Sequence, residues 1–510
     1  MLYFNYGNVT DNDTETVTGT QNILSSCIRV IAFGDTITKK GERGKAMKKK
    51  LISALLCVAM VSAMLTGCGS SADNGAAGTE SAATEEAAPA AEGGEAAAPA
   101  AEGEGRVYYL NFKPEVDEQW QEIAAAYTAE TGVPVQVVTA ASGTYEQVLK
   151  AEVAKTDAVT LFQINGPVGY QNWKDYCLDL SGTDIYKALS DPTLAVGNYG
   201  IPYTVETYGI IYNDAIMQKY FALDGAKAAS VDEINNFAKL KEVVEDMQAK
   251  KDDLGIDGVF ASTSLLPGED WRWQTHLANV PIYYEYKDAG VSDEAEISFK
   301  YGDNMQQIFD LYINNSTCAP GLLGSKAVTD SMAEFALGQC AMVQNGNWAW
   351  GQIAEVEGNT VAESDIKFMP IYIGVDGEEN QGLCTGTENF WCVNSQVSEA
   401  DQKATIDFIN WMVSSDKGKD YMVNTLGNSA PFTTFGDDEK PSDPLAKEMY
   451  RFMENGKQSV SWNFTTFPSQ DFKDDFGAAL LEYANGNMTW AEVKDTVVTR
   501  WAEEKAAIAE

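Results

Sequence analysis

An alternation of short apolar runs and helical patterns begins at Arg106, and it restricts the possible folds more than any other feature. Residues 107–112 form a β-branched and aromatic run, residues 117–131 carry apolar side chains at helical spacing, and residues 135–138 extend again. After a further helical pattern, residues 159–164 have the composition of a third strand. Strand, helix and strand in this order predict a parallel sheet with right-handed crossovers.

Polar residues follow two of these predicted strands. Asn111 and Lys113 stand at the end of the first strand, and Asn165 follows the third. Open α/β sheets bind their ligands at the carboxyl ends of the strands. We therefore expect Asn111, Lys113 and Asn165 to lie at a binding site.

The body of the chain is too long for a single hydrophobic core. It runs for about 400 residues from Arg106, and cores stop growing beyond about 250 to 300 residues. Residues 201–213 are extended and rich in tyrosine, and Thr489 with Glu492 forms a capping box ahead of an amphipathic terminal helix. These patterns predict a mixed α/β fold with two lobes.

A secretory signal precedes the body. Residues 47–67 combine a basic start, an apolar run and small residues ahead of Cys68. The apolar run is too short to cross a bilayer core of about 30 Å. LTGC at its end resembles the lipobox of bacterial lipoproteins, in which the cysteine is lipidated and becomes the first mature residue. A plain secreted protein, cut after a small residue, is the alternative.

Residues 1–46 stand in front of this signal, where a signal peptide should have nothing. The segment from Lys39 to Lys45 can be encoded almost wholly by purines, as a ribosome-binding site read through in frame would be. We therefore predict that Met47 is the true start and that residues 1–46 are an upstream segment translated by mistake.

A spacer of low complexity joins the signal to the body. Residues 68–105 contain no aromatic and no branched aliphatic residue, and they repeat AAPAAEG. Such a segment cannot bury enough apolar surface to offset its ordering entropy, so we expect a disordered tether. Lipid at Cys68 and a globular body beyond the tether would hold the protein on the outer face of the cytoplasmic membrane.

The body is strongly acidic. The whole chain has a formal net charge of −39, and residues 106–510 contain 28 Lys and Arg against 62 Asp and Glu, a net charge of −34. Such a charge argues against nucleic acid and against anionic lipid surfaces as partners.

Cysteine and histidine usage argues against metal and nucleophile chemistry. The body has five cysteines, and His276 is the only histidine in the chain. The cysteines are Cys177, Cys318, Cys340, Cys384 and Cys392. They form no CxxC pair, no histidine cluster exists, and any Ser-His-Asp system would rest on His276 alone. Cys384 and Cys392 are near enough in sequence to bridge, but spacing alone does not establish it. We expect no cofactor and no metal.

Two tryptophans follow a polar turn in EFALGQCAMVQNGNWAWG, residues 334–351. Residues two apart on a helix point about 200° from each other, so Trp348 and Trp350 cannot share one face if the helix begins after Asn347. This geometry assigns Trp348 to a cleft and Trp350 to packing. Packing for both is the alternative.

Three further tryptophans stand in segments that resemble loops, near carboxylates and amides. They are Trp271 beside Glu269 and Asp270, Trp391 beside Glu388 and Asn389, and Trp462 beside Asn463. A sugar presents a C–H face that stacks on an indole and hydroxyls that need planar polar partners. The combination favours a carbohydrate site, although each tryptophan taken singly is more often core.

The segment EFALGQCAMVQNGNWAWGQI resembles the motif E-x-F-x-x-G-x-x-A-M-x-x-x-G-x-W of the extracellular solute-binding proteins that serve ATP-driven importers. The similarity is to the maltose-binding protein and its sugar-binding relatives in particular. GIPYTVETYGIIYNDAI is similar to the first interlobe crossing of that family, and NGNMTWAEVKDTVVTRW is similar to its closing helix.

The resemblance implies a periplasmic-binding-protein-like fold of two lobes joined by crossing strands, with the ligand between them. It implies residues 106–210 and 323–383 for one lobe, and residues 211–322 and 384–510 for the other. Trp348 would stack on the sugar from one lobe, with Glu206 near the hinge. Glu269, Asp270 and Trp271 would line the other lobe. The partners would be an oligosaccharide and the permease subunits of an ABC importer, and the protein would be a monomer without enzymatic activity.

Two other functions are compatible with the same residues. An exported glycoside hydrolase would use two carboxylates about 5 to 9.5 Å apart, and Glu206 with Glu269 or Asp270 could be such a pair. A binder of the same fold could carry a cation such as a polyamine, which would suit Glu206, Glu269, Asp270 and Glu388. The sugar, its linkage and its length are left open by the sequence.

Overall fold

A computed structural model describes residues 105–509. The predicted start at Met47, the signal of residues 47–67, the lipidation site Cys68 and all but the end of the tether lie outside this range. Within the described residues, no helix is both long and apolar enough to cross a membrane.

Ten strands in residues 105–509 form two separate sheets. They are β1 (Val107–Asn111), β2 (Val135–Thr139), β3 (Leu161–Ile164), β4 (Glu206–Asn213), β5 (Gly258–Phe260), β6 (Cys340–Gly346), β7 (Ile366–Met369), β8 (Gln381–Gly386), β9 (Phe390–Val393) and β10 (Gln458–Ser461).

Helices cover both sheets. The α-helices are α1 (Asp117–Thr131), α2 (Tyr145–Glu152), α3 (Pro167–Trp173), α4 (Asp184–Lys187), α5 (Asp214–Phe221), α6 (Phe237–Ala249), α7 (Lys251–Leu254), α8 (Ala278–Ala289), α9 (Gly302–Asn314), α10 (Val328–Ala336), α11 (Ala349–Ala354), α12 (Glu399–Ser414), α13 (Asp416–Asp420), α14 (Pro444–Glu454), α15 (Gln470–Ala484) and α16 (Trp490–Ala509). Two π-helices, Arg272–Leu277 and Tyr421–Thr425, interrupt the series.

The first sheet has the strand order β2-β1-β3-β9. Strand β1 pairs in parallel with β2 and β3, and β9 returns antiparallel to β3. Successive side chains of a strand point to opposite faces of the sheet, so neighbouring residues of β1 pack in two different hydrophobic cores. Val107 and Tyr109 pack with α1 and α12 on one face, while Tyr108 and Leu110 pack on the other.

The second sheet has the order β10-β8-β4-β6-β5, with β7 also paired to β4. Its central strand β4 is antiparallel to β6, β7 and β8. All eight residues of β4 are buried, and the largest core of the protein lies against Tyr208, Ile210 and Tyr212. Helices therefore cover both faces of this sheet.

The chain crosses between the sheets at three places. The first crossing leads into β4, which begins at Glu206 directly after the bridge between Val205 and Ser429. The second crossing leaves β8 at Gly386, the residue that pairs with Glu206. The third crossing lies between Phe435, in the first sheet's core, and Leu445, in the second sheet's core. We call residues 105–205 and 387–435 the first lobe, and residues 206–386 and 436–509 the second lobe.

The strand pairing differs from the predicted lobe boundaries in two segments. The range 323–383, predicted to join 106–210, contains β6 and β7, which pair with β4 in the second sheet. The range 384–510, predicted to join 211–322, contains β9, which pairs with β3 in the first sheet. The boundaries are therefore redrawn at the crossings, since partners distant in sequence decide which sheet a strand joins.

The sheet assignment also separates the two cysteines considered for a bridge. Cys384 lies in β8 of the second sheet and Cys392 in β9 of the first. All five cysteines of the body are free thiols, and four of them are buried. Burial raises the pKa of Cys340, Cys384 and Cys392, which keeps these thiols protonated and unreactive.

Candidate functional site

A cavity of about 410 Å³ lies between the two lobes. This volume is in the range of small-molecule sites in proteins. The lobes touch across its mouth, where the Ser142 hydroxyl of the first lobe donates a hydrogen bond of 2.8 Å to the Gly268 carbonyl of the second. The two lobes therefore meet at one edge of the cavity, which remains partly open to solvent.

The first-lobe wall is built at the carboxyl ends of strands, as the sequence predicts. Lys113 follows β1 and Asn165 follows β3, and both line the cavity. Asn111 differs from its prediction because it does not line the cavity. Its buried amide donates hydrogen bonds to the Lys113 carbonyl at 2.7 Å and to the Thr139 hydroxyl at 3.1 Å. Asn111 thus holds the turn that presents Lys113.

The hinge side of the cavity is charged. Lys113 forms an ion pair with Glu206, and both side chains are largely buried. Burial by itself lowers the pKa of Lys113, but the carboxylates of Glu206 and Glu115 raise it above the ordinary value. Glu388 lines the same side, and burial raises the pKa of its carboxyl group.

Asn389, beside Glu388, is held in an unusual conformation. Its φ of 62° lies in the left-handed region, where non-glycine residues are uncommon and asparagine is enriched. Its side-chain oxygen is buried and has no hydrogen-bond partner among the described residues. Local strain and an unsatisfied acceptor in a cavity wall are typical of a binding site.

The second-lobe wall is a π-helix, Arg272–Leu277, with Trp271 directly ahead of it. Wider turns of this kind occur frequently at functional sites. Arg272, Thr275 and His276 all line the cavity, as does Trp271. Burial, reinforced by the nearby charge of Arg272, holds the pKa of His276 well below its ordinary value, so the ring is neutral.

Four rings form the floor of the cavity, which we call the aromatic floor: Trp271, His276, Trp348 and Trp462. The ring centroids of Trp271 and Trp348 are 6.2 Å apart, and those of Trp348 and Trp462 are 6.3 Å apart. His276 lies among them, 5.4 Å from Trp348. The indole N–H groups of Trp348 and Trp462 are buried without a partner among the described residues.

The two tryptophans of the segment 334–351 are separated at this cavity, which Trp348 lines and Trp350 does not, although both border a second cavity of about 680 Å³. Helix α11 begins at Ala349, with Trp348 as its N-cap residue. Trp348 contributes to the aromatic floor. Trp350 packs against the core on the other face of the second sheet, and it is only half-buried rather than a central core residue.

Trp391 is placed in the core, which corrects the prediction that it contacts a ligand. Its side chain is fully buried and stacks on Tyr203, with ring centroids 4.6 Å apart. Its position in β9 explains the difference. Glu388 and Asn389 precede the strand and face the cavity, whereas Trp391 belongs to the strand and points into the first lobe's core.

The acidic pair ahead of Trp271 is also reassigned. The Glu269 carboxylate borders the cavity, but it accepts a hydrogen bond of 2.6 Å from the Val328 amide at the start of α10. Asp270 is buried against α15 and does not line the cavity. A Cβ placed on Gly477 would lie only 1.8 Å from the Asp270 carboxylate, so only glycine allows this approach.

Burial raises the pKa of Asp270 to about 6, against about 4 in an unfolded chain. The folded state therefore holds this proton more tightly, and stability contributed by the neutral form is lost as pH rises from about 4 to about 6. We expect Asp270→Asn to stabilise the protein by about 2 kcal/mol at pH 7 and to have little effect at pH 4. Urea unfolding at both pH values measures this; an equal effect at both would contradict it.

Several cavity residues were not predicted as site residues from the sequence. They are Glu115, Tyr145, Glu146, Arg272, His276, Gln470 and Lys473. Arg272 and His276 stand beside a predicted site residue, so proximity to Trp271 could have indicated them. Lys473 lies in an ordinary amphipathic helix, and no local signal marks which of its faces meets the cleft.

Two α/β lobes joined by three crossings, with a cavity between them, define a two-lobed binding protein. The sequence model of the bacterial extracellular solute-binding proteins matches residues 122–448, and the chain belongs to this family. A search of curated proteins finds no match.

Solved structures share the fold across nearly their whole length. A protein described as a chitin oligosaccharide binding protein aligns with a TM-score of 0.63 at 17% identity, covering 79% of this chain and 99% of its own. A solute-binding protein in complex with raffinose aligns with a TM-score of 0.60 at 18% identity, covering 78% and 99%. A sugar transporter protein from Bacillus licheniformis in complex with stachyose aligns with a TM-score of 0.58 at 15% identity, covering 78% and 100%. The predicted two-lobed fold is confirmed.

Proposed function

We propose that this protein captures an oligosaccharide between its lobes and delivers it to the permease of an ABC importer. The observation that carries the proposal is the aromatic floor, in which three indoles meet in a cavity between the lobes that is rimmed by charged and amide side chains. Indoles accept the C–H face of a sugar ring, and polar side chains at the rim accept and donate hydrogen bonds to its hydroxyls.

The polar groups around the floor have free hydrogen-bonding capacity. The N–H groups of Trp348 and Trp462 are unpartnered donors, and the side-chain oxygen of Asn389 is an unpartnered acceptor within the described part of the chain. Buried polar groups without partners are destabilising unless a ligand satisfies them. A molecule with both hydroxyl donors and ether or hydroxyl acceptors meets this requirement, as an oligosaccharide does.

The related structures support the same class of ligand. Those proteins are described as binding a chitin oligosaccharide, raffinose and stachyose. Trp348, Trp271, Trp462, Lys113, Asn165, Glu206, Glu388 and Asn389 are the proposed ligand contacts of this chain.

Export and attachment complete the proposal. Members of the extracellular solute-binding family work outside the cytoplasm. The signal of residues 47–67 and the lipobox at Cys68 indicate a lipid anchor on the outer face of the membrane, with residues 69–105 as a tether. The partner would be the permease of an importer, engaged by a monomer whose lobes have closed on the ligand.

Binding is favoured over hydrolysis by the state of the candidate carboxylates. A glycosidase needs one carboxyl group as an acid and a second as a nucleophile or base. Glu206 is paired with Lys113, Glu269 caps α10, and Asp270 faces α15. A polyamine would meet three cations, Lys113, Arg272 and Lys473, beside the five glutamates that line the same cavity.

A thermal-shift screen against oligosaccharides tests the proposal. A ligand that binds only the folded state adds about 2.7 kcal/mol to stability at 100 times its dissociation constant, so the melting temperature must rise. We expect a rise with at least one oligosaccharide and no release of reducing ends after long incubation. Unchanged melting with a broad panel, or steady hydrolysis, would contradict the proposal. Spermidine serves as the control for a cationic ligand.

A further inference from the structure

Two cations in the cavity wall form no side-chain hydrogen bond or ion pair with residues 105–509, although the Arg272 guanidinium stacks on the Trp271 ring, 3.8 Å from its centroid. Arg272 is 1% exposed and Lys473 is 7% exposed, and both line the cavity. Two guanidinium nitrogens of Arg272 are buried without a hydrogen bond among the described residues. Lys473 is influenced by the charges of Glu388 and Glu146 but forms no hydrogen bond or ion pair with either in the described structure.

Unpaired burial of this kind is destabilising. A buried charge is normally paired or hydrogen-bonded, because removing it from water is otherwise unfavourable. Lys113 in the same cavity obeys the rule through its ion pair with Glu206. Burial lowers the pKa of Arg272 to about 9 and also lowers the pKa of Lys473. The two groups are therefore free to bind an anion that enters the cavity.

The element that carries Lys473 adds to the preference for an anion. Gln470 and Lys473 lie in the first turn and a half of α15, a helix of 15 residues, and both line the cavity. Ser469 caps the helix by accepting from the Phe472 amide. The amino end of a helix bears a partial positive charge, so α15 directs both this end and an ammonium group at the ligand.

The carboxylates of the cavity are better satisfied than the two cations. Glu206 is ion-paired, and Glu146 accepts a hydrogen bond of 2.8 Å from the Trp173 indole. Glu115 and Glu388 are half-buried, so water reaches them, and burial raises the pKa of both.

We infer that the oligosaccharide carries an anionic substituent, a uronate carboxylate or a sulfate ester, which binds between Lys473 and Arg272 over His276. The three side chains border one cavity, and both cations lie close enough to His276 to act on its charge. A carboxylate or sulfate offers several acceptor oxygens to the guanidinium and the ammonium at once. The inference rests on the proposed function and specifies its ligand.

Calorimetric titration with pairs of sugars that differ only in charge tests whether the ligand is anionic. Each uronate trisaccharide of a panel is paired with its methyl ester, which keeps the skeleton and removes the charge, and sulfated and neutral trisaccharides are added. We expect at least one acid or sulfate to bind about 10-fold or more tighter than its neutral counterpart. Acids that bind no tighter than their esters, while neutral sugars bind, would overturn this inference and leave the proposed function standing. No binding by any sugar would contradict the proposed function itself.

The variant Lys473→Met identifies the group responsible. It keeps the length of the side chain and removes the charge, so we expect an affinity loss of about 10- to 100-fold for the anionic sugar and less than about threefold for the neutral one. The unliganded protein should melt at a higher temperature, since an unpaired buried charge is gone. Lys447→Met is the control, because Lys447 is exposed on α14. Equal losses for both sugars would overturn the assignment.

Discussion

Trp348→Ala is expected to weaken oligosaccharide binding by about 100-fold or more, about 3 kcal/mol. The indole is central to the aromatic floor, within about 6 Å of the rings of Trp271, His276 and Trp462. Its removal deletes the stacking surface together with an N–H donor that has no partner among residues 105–509. Calorimetric titration of the variant measures the loss.

Two other tryptophans are matched controls for this variant. Trp350→Ala removes the neighbouring indole, which packs outside the aromatic floor, and should change affinity less than about threefold. Trp273→Ala removes a fully buried indole and should destabilise the fold by about 3 to 5 kcal/mol. Trp348→Ala should destabilise less than Trp273→Ala, because Trp348 is half-buried. Unchanged affinity in Trp348→Ala would show that the sugar binds elsewhere.

Lys113→Met is expected to destabilise the protein by about 3 to 5 kcal/mol, because it leaves Glu206 buried without its counter-ion. The side chains of Lys113 and Glu206 are 14% and 6% exposed, so water does little to compensate. Glu206 also begins β4 at the first crossing between the lobes, where it pairs with Gly386. Urea unfolding of the unliganded protein measures the effect.

Two controls test whether the loss of stability in Lys113→Met comes from breaking a buried ion pair: a double variant and a variant of an exposed ion pair. Lys113→Met with Glu206→Leu removes both charges and should recover much of the lost stability, since replacing a whole buried pair is far less harmful than breaking it. Lys494→Met breaks the ion pair with Asp303, whose side chains are 36% and 72% exposed, and should change stability by less than about 1 kcal/mol. Similar losses from Lys113→Met and Lys494→Met would refute the buried-pair account.

Local elements could be predicted because neighbouring residues determine them. The helix predicted over residues 117–131 has those bounds in α1, and Gly132 ends it with a φ of 79°. The capping box at Thr489 is confirmed, with the Glu492 carboxylate accepting from the Thr489 amide at 2.8 Å. The first three strands are parallel, as the βαβ pattern predicts.

Lobe membership could not be predicted from local pattern. Strands β4 and β6 pair across more than 120 residues of sequence, and β3 and β9 across more than 220. The sequence of either strand does not indicate which other strand it pairs with. The resemblance to the family predicted that there are two lobes. Their boundaries became known only from the pairing of strands that are distant in sequence.

Only part of the binding site could be predicted, because the site also depends on contacts between segments that are distant in sequence. Trp462 and Trp391 both stand near polar residues in the sequence, yet one lies in the aromatic floor and the other in the first lobe's core. The two tryptophans differ because their side chains point in different directions. The direction of each side chain is set by the strand or loop to which the residue belongs. Lys473 enters the cavity only because α15 packs behind the π-helix, a contact between segments 200 residues apart.

Intrinsic tryptophan fluorescence during an oligosaccharide titration tests the central claim most directly. Three of the indoles line the cavity, so a sugar that binds between the lobes must change their surroundings. The account predicts a saturable change in emission for the wild-type protein with the sugar that raises its melting temperature, and loss of that change in Trp348→Ala. Saturable binding by calorimetry that leaves the tryptophan emission unchanged would contradict a site on the aromatic floor.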